Sequence, residues 1–312
     1  MVDISEIIPS IKEYIWGGTN LKKYKDPNNQ FKNVSESWEL SFLDEGPSLI
    51  YDENSKTNLE LRKVVSSADL GKDINKFIFN GKIFFPLLIK LIDSNSSLSI
   101  QVHPSDEYAL KHENSLGKEE MWIILDAKKF SYLYLGLNKD LTKEDFVKSI
   151  QNNTILDNLN KVYVKKGDIF LVKPGTIHAI GEGITLLEIQ ESSFLTYRIY
   201  DFNRVDQNGL KRPLHIEKAL DVINFNKLNV ESITLTNKTH IKRKYFHVLI
   251  DTLNNSTKEY LYPNSFVVIT IIDGDGIINN KKASKFESYF IKANTKINIS
   301  SKSKISYVIS SI

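Results

Sequence analysis

Short runs rich in β-branched and aromatic residues, each closed by Gly, Asn, Asp or Ser, follow one another along almost the entire chain, and long stretches with helical period are scarce. Ser97–His103, Met121–Leu125, Lys161–Val164, Ile169–Lys173 and Ile184–Gln190 read as strands. So do Tyr245–Leu253, Ser265–Ile272, Tyr289–Lys292 and Ile305–Ser310. Strands at this density bury their apolar faces either in a sandwich or in a barrel, so the expected class is all-β. Helices are expected only as insertions. Ser105 can cap one running through His112, Thr142 one through Ile150, and His215 begins one that reaches Val222. Between Asn224 and Lys244 the composition shifts to Asn, Lys and Thr, which places a unit boundary there; 312 residues suit one large domain or two modest ones. Asp273-Gly274-Asp275-Gly276, set between Ile-rich runs, reads as a hairpin turn.

Charge and cysteine content remove several function classes. Lys and Arg number 41 against 38 Asp and Glu, and a net charge of +3 gives no electrostatic footprint for nucleic acid or an anionic membrane. No apolar run approaches the roughly 18 residues of a membrane span. The opening Met1-Val2-Asp3 lacks the basic segment of a secretion signal, so a cytoplasmic protein is expected. With no cysteine, disulfides, thiol nucleophiles and thiolate metal sites are all absent. A metal would have to be held by His, Asp, Glu or an amide oxygen.

Two of the six histidines stand in a telling context. In Ser99-Ile100-Gln101-Val102-His103, strand alternation puts Ser99, Gln101 and His103 on one face and the aliphatics on the other. In Gly167 to His178 a strand ends in a Pro174-Gly175 turn that aims the imidazole of His178 from a fixed position, a spacing close to the second cupin motif. Either histidine alone fits a core residue with satisfied hydrogen bonds equally well. Glu120 precedes the strand Met121–Leu125 and can turn into a barrel mouth; by itself it reads as a solvated charge at a turn. Taken together, Gln101, His103, Glu120 and His178 supply two imidazoles, one carboxylate and one amide oxygen, a donor set suited to a single Zn²⁺ ion. One carboxylate leaves such a site at +1, which favours an anionic substrate or an oxyanion.

Several blocks resemble the type I phosphomannose isomerases in their short bacterial form. They are Ile15-Trp16-Gly17-Gly18, Glu36-Ser37-Trp38-Glu39-Leu40-Ser41, the run from Phe85 to Ala109 containing Gln101-Val102-His103-Pro104, Gly117 to Trp122, Pro174 to His178, and Thr196 to Phe202. Order and spacing are kept over roughly residues 9–225. The resemblance implies two cupin-like β-barrels with small helical insertions: a catalytic unit over 1–236 and a C-terminal β unit over 237–312. It implies zinc ligation by Gln101, His103, Glu120 and His178, an active-site arginine at Arg198, and pocket roles for Ser99 and Lys118. The reaction implied is the interconversion of mannose 6-phosphate and fructose 6-phosphate through an enediol(ate). Arg198 would meet an oxyanion or phosphate with its forked donors, and Lys118 would serve phosphate binding or proton transfer. Tyr197 and Tyr200 read as packing residues, and Asp201 falls on the face opposite Arg198. One departure matters: many relatives carry an aspartate four residues before the arginine, where this chain has Phe194. That keeps open a metal-binding sugar-phosphate sensor or a decayed isomerase. A cupin oxygenase would want more histidine than this chain offers.

Overall fold

Leu87–Ser94 is buried at all eight positions, and its alternating side chains serve two different interiors. Leu87, Ile89 and Leu91 enter one apolar cluster, whereas Ile92 enters another on the opposite side. A strand covered on both faces belongs to a middle layer. The computed structural model, which describes residues 2–79, 81–205, 208–236 and 238–312, places it in one.

That layer is an antiparallel sheet in the order Ile233–Thr234, Asp168–Val172, Glu120–Ala127, Ile184–Glu191, Leu87–Ser94, Glu36–Leu40, Ser10–Lys12. Against its inner face lies a five-stranded sheet, Leu159–Tyr163, Tyr132–Leu137, His178–Ile180, Ile100–Val102, Tyr197–Tyr200. Trp122, Ile124, Phe170 and Leu186 from the first sheet share a cluster with Leu133, Leu135 and Ile180 from the second. The outer face, through Leu40, Ile89, Met121, Ile123 and Ile189, packs on a third sheet through Val248, Ile250, Val268, Phe290 and Val308. This third sheet is built on two long strands, His247–Leu261 and Lys296–Ser311, paired along nearly their whole length. One of its edges is Ile4–Glu6, paired with Ser288–Ile291, so the two ends of the chain meet in one sheet. The molecule is mostly β.

The three anticipated helices form at Asp106–His112, Lys143–Gln151 and Ile216–Val222. Thr142 caps the second by accepting a bond from Asp145 N at 3.0 Å. Phe146 and Ala219 from two of these helices cover the back of the five-stranded sheet, meeting Ile100, Val102, Ala179 and Tyr197. Among the described residues no helix is long and apolar enough to cross a membrane.

The hairpin expected at Asp273 to Gly276 is not there. The chain kinks and continues along the same partner strand, with Ile271 opposite Tyr307 and Ile277 opposite Ser300. Gly274, at φ +72°, makes the kink possible, because a Cβ there would lie 2.1 Å from the Lys304 carbonyl oxygen. Reversal comes at Asn279-Asn280, both at positive φ, between Gly276–Ile278 and Lys281–Ala283. Both central residues at positive φ suit the twist of a two-residue hairpin, and asparagine tolerates that region. Asn237, the first residue of the expected C-terminal unit, lies outside the described residues.

Candidate metal centre and active-site cavity

In the five-stranded sheet Gln101 stands between His178 and Arg198, each directly opposite it on a neighbouring strand. Directly opposed residues share a face. The face in question looks toward the middle sheet, because Ile100 and Val102 occupy the other one. Glu120 opens the Glu120–Ala127 strand with the inward parity of Trp122 and Ile124. The sheet sandwich therefore presses Glu120 against the two imidazoles.

His103, Glu120 and His178 are each 1% exposed, and one ligand atom from each falls within 4.8 Å of the others. His103 Nδ1 donates to the Leu195 carbonyl at 2.8 Å, and His178 Nδ1 donates to the Thr176 carbonyl at 2.9 Å. A carbonyl can only accept, so both rings carry their proton on Nδ1 and turn an Nε2 lone pair inward. Those atoms approach Glu120, at 3.2 Å from Oε1 and 3.6 Å from Oε2. His103 Nε2 and both Glu120 oxygens nevertheless make no properly angled hydrogen bond among the described residues. Buried acceptors aimed at one another in this way are unfavourable unless a cation lies between them.

Protonation states agree with that reading. Burial, reinforced by Lys118, pushes His103 down to about 3, and burial lowers His178 as well. Burial would raise Glu120, but its charged surroundings, the Lys118 ammonium first, overcome it and hold the carboxyl well below its usual range. Neutral imidazoles and an ionised carboxylate are the forms that bind a divalent metal. The Gln101 amide lies 3.3 Å from His178 Nε2, and rotating the amide would present its oxygen to the same point. The turn behind His178 is fastened to the His103 segment by a bond from Gly175 N to the His103 carbonyl, at 2.9 Å.

Beside this group lies a cavity of about 400 Å³, with Gln101 and Lys118, which approach His178 and Glu120, in its wall. Lys118 Nζ is 3.1 Å from Glu120 Oε1. Arg198 reaches across its lining, its Nε donating to Ser99 Oγ at 3.2 Å and an Nη1 hydrogen to the Pro213 carbonyl at 2.9 Å. The structure thus gathers all seven residues singled out from the sequence: Ser99, Gln101, His103, Lys118, Glu120, His178 and Arg198. Phe194 also faces the cavity; it is 48% exposed, with its ring tilted against Trp38 at 5.7 Å. Tyr197 packs and donates to Glu113, while Asp201 is spent on Arg204 and Arg212.

Sequence reasoning missed a buried charged group on the same wall. Lys90 Nζ lies 3.2 Å from Glu188 and 3.8 Å from Glu36. Burial works to lower the Lys90 pKa, but Glu36, Glu188 and Glu120 outweigh it and raise it, so this ammonium stays charged. Burial and Glu120 raise Glu188, which also accepts from Trp122 Nε1 at 2.8 Å. The available signal was a lysine in the apolar run Leu87-Leu88-Ile89-Lys90-Leu91-Ile92, a position that only a charged partner makes tolerable.

Residues 4–129 match the family model of the phosphomannose isomerase type I catalytic domain. A Bacillus subtilis protein named probable mannose-6-phosphate isomerase GmuF is 36% identical over 287 residues, covering 87% of each chain. The crystal structure of the mannose 6-phosphate isomerase from Bacillus subtilis superposes over the full length of both chains with a TM-score of 0.83 and 28% identity. A zinc-bound mannose 6-phosphate isomerase shares the fold at a TM-score of 0.76 and 16% identity, covering 98% of this chain and 99% of its own. Identity of this extent along nearly the whole sequence, joined to a shared full-length fold, makes the chain a member of the type I phosphomannose isomerase family.

Proposed function

We infer that the protein is a zinc-dependent isomerase that interconverts mannose 6-phosphate and fructose 6-phosphate. The observation that carries this is the buried His103–Glu120–His178 group, its two Nε2 lone pairs and its carboxylate converging behind Gln101 and Lys118, which stand in the cavity wall. These residues fit zinc in donor type, protonation and tautomer, and Gln101 is the fourth ligand by position. Zinc, when bound, supplies Lewis acidity toward a sugar oxygen without redox chemistry.

The remaining chemistry falls to the chain itself. One proton has to move between C2 and C1 while negative charge gathers on an oxygen. We assign the oxyanion to Arg198, whose guanidinium is oriented by Ser99 and the Pro213 carbonyl and still has donors left over. Lys118 Nζ is the group we place on proton transfer, since Phe194 cannot serve and Asp201 is committed to two arginines. Lys90, Arg212 and Lys218 also line the cavity, where Glu36, Glu113 and Glu188 offset part of their charge, and the surplus of cations suits a phosphate dianion. Ser99 is proposed as a substrate contact, with Arg198 at its hydroxyl. The partner is a small sugar phosphate, and we place the protein in the cytoplasm.

The architecture supports a finer reading. The middle and five-stranded sheets, packed face to face around the metal group, make the cupin-like catalytic unit over 1–236, and the bent third sheet, to which Ile4–Glu6 adds an edge strand, makes a C-terminal one over 237–312. A coupled assay for fructose 6-phosphate formation tests the function. Turnover at the buffer background by a folded, zinc-loaded sample would favour the sensor reading that Phe194 prompts.

A further inference from the structure

Gly117, Lys118 and Glu119 lead into Glu120, and each is held by its backbone. Gly117 N donates to Asp106 Oδ1 at 3.0 Å, Lys118 N to the Pro104 carbonyl at 3.1 Å, and Glu119 N to Glu191 Oε1 at 3.0 Å. There is no slack at Gly117, where a Cβ would sit 2.6 Å from Asp106 N. The carboxylates in this arrangement are gripped in turn from elsewhere in the chain. The Tyr245 hydroxyl and Lys244 Nζ, the latter at 2.8 Å, donate to Asp106 Oδ2. Arg243 directs Nε and Nη2 at Glu119 Oε1. Charges balance across the contact. Burial and the neighbouring Asp106 push Glu191 up to about 9, so it is a neutral acid at pH 7, leaving Asp106 and Glu119 opposite Lys244 and Arg243.

Arg243, Lys244 and Tyr245 are consecutive residues in the turn between Lys238–Lys242 and His247–Leu261, so they belong to the third sheet. Arg243 is 124 residues along the chain from the glutamate it holds. We propose that this turn is a positioning clamp for the active-site loop: by fixing Asp106 and Glu119 it sets how closely Glu120 approaches His103 and His178 and where Lys118 enters the cavity. The clamp acts through other groups and touches no substrate. It rests on the metal and isomerase reading above but is tested first on metal alone.

The test uses the full-length protein stripped of metal and titrated with zinc in competition with a chromophoric chelator, with kcat, KM and thermal midpoint measured alongside. Arg243→Gln is expected to weaken zinc binding about tenfold, the lower end for partners that orient metal ligands. It should lower kcat severalfold with KM little changed, and Arg243→Lys should recover part of both losses. Tyr245→Phe keeps the buried ring, so it folds, and should move both readings in the same direction by less. Zinc affinity and kcat within twofold of wild type in Arg243→Gln, whatever its thermal midpoint, would overturn the clamp. If Arg243→Gln does not fold, the same result in Tyr245→Phe overturns it. A wild-type protein that binds zinc yet does not isomerise would sink the functional reading, and the zinc titrations would still decide the clamp.

Discussion

Two backbone carbonyls decide the chemistry of the metal group, because they take the Nδ1 protons of His103 and His178 and leave both Nε2 atoms as acceptors facing Glu120. Removing either imidazole leaves three ligands, only one of them an imidazole, and opens the coordination sphere, so His103→Ala and His178→Ala should each lose metal by elemental analysis. Full metal in both variants would mean that other residues hold it. Glu120→Gln keeps an oxygen but removes the negative charge, and should retain metal more weakly without loss of fold. Arg198→Ala should cut kcat by about 10²–10³, the usual loss for one oxyanion donor, and Arg198→Lys should restore only part of it. A raised KM with kcat intact would move Arg198 to the phosphate. Phe194 faces the cavity rather than the core, so Phe194→Asp should change stability by no more than about 0.5 kcal/mol in denaturant unfolding. A loss of several kcal/mol would show that the ring is buried in solution.

Strands carried most of what could be read in advance. Alternation in Ser99 to His103 placed Gln101 and His103 on one face correctly, because one side of that strand is purely aliphatic and the period is unambiguous. The same logic was silent for Leu87–Ser94, where both faces are buried and no polar alternation exists to be seen, and so Lys90 escaped notice. Helix ends were legible because Ser105 and Thr142 are real caps. The kink at Gly274 was misread because glycine permits either a reversal or a bend, and only pairing with Lys296–Ser311 distinguishes them. Glu191, at the end of Ile184–Glu191, has its pKa raised to about 9 by burial and Asp106, well above its ordinary value. The folded state therefore binds a proton that the unfolded state releases. Its contribution to stability is complete below about pH 4.3 and falls by at most about 1.4 kcal/mol per pH unit until pH approaches 9. Glu191→Gln should flatten the decline of stability between pH 5 and 9 in denaturant titrations. An unchanged slope would show that Glu191 is already ionised in the folded protein.

Over the whole molecule, three stacked sheets assign distinct tasks to distinct layers. The five-stranded sheet presents Gln101, His178 and Arg198, the middle sheet presents Glu120, Lys90 and Glu188, and the third sheet reaches the active-site loop from behind through Arg243 and Tyr245. Sequence spacing could supply the residue types of the metal group, since each sits in a local motif. It could not supply the charged wall or the contact from the third sheet, since both depend on pairs far apart in the chain and on which faces the layers turn toward each other. The central claim is that metal held by Gln101, His103, Glu120 and His178 makes this cavity an isomerase. Its most direct test is a titration of stripped protein with zinc, following conversion of mannose 6-phosphate to fructose 6-phosphate. The account predicts activity that rises linearly to one zinc per chain and then stops, with no rise in His178→Ala. Full activity in the stripped protein, or none in the fully loaded one, would contradict it.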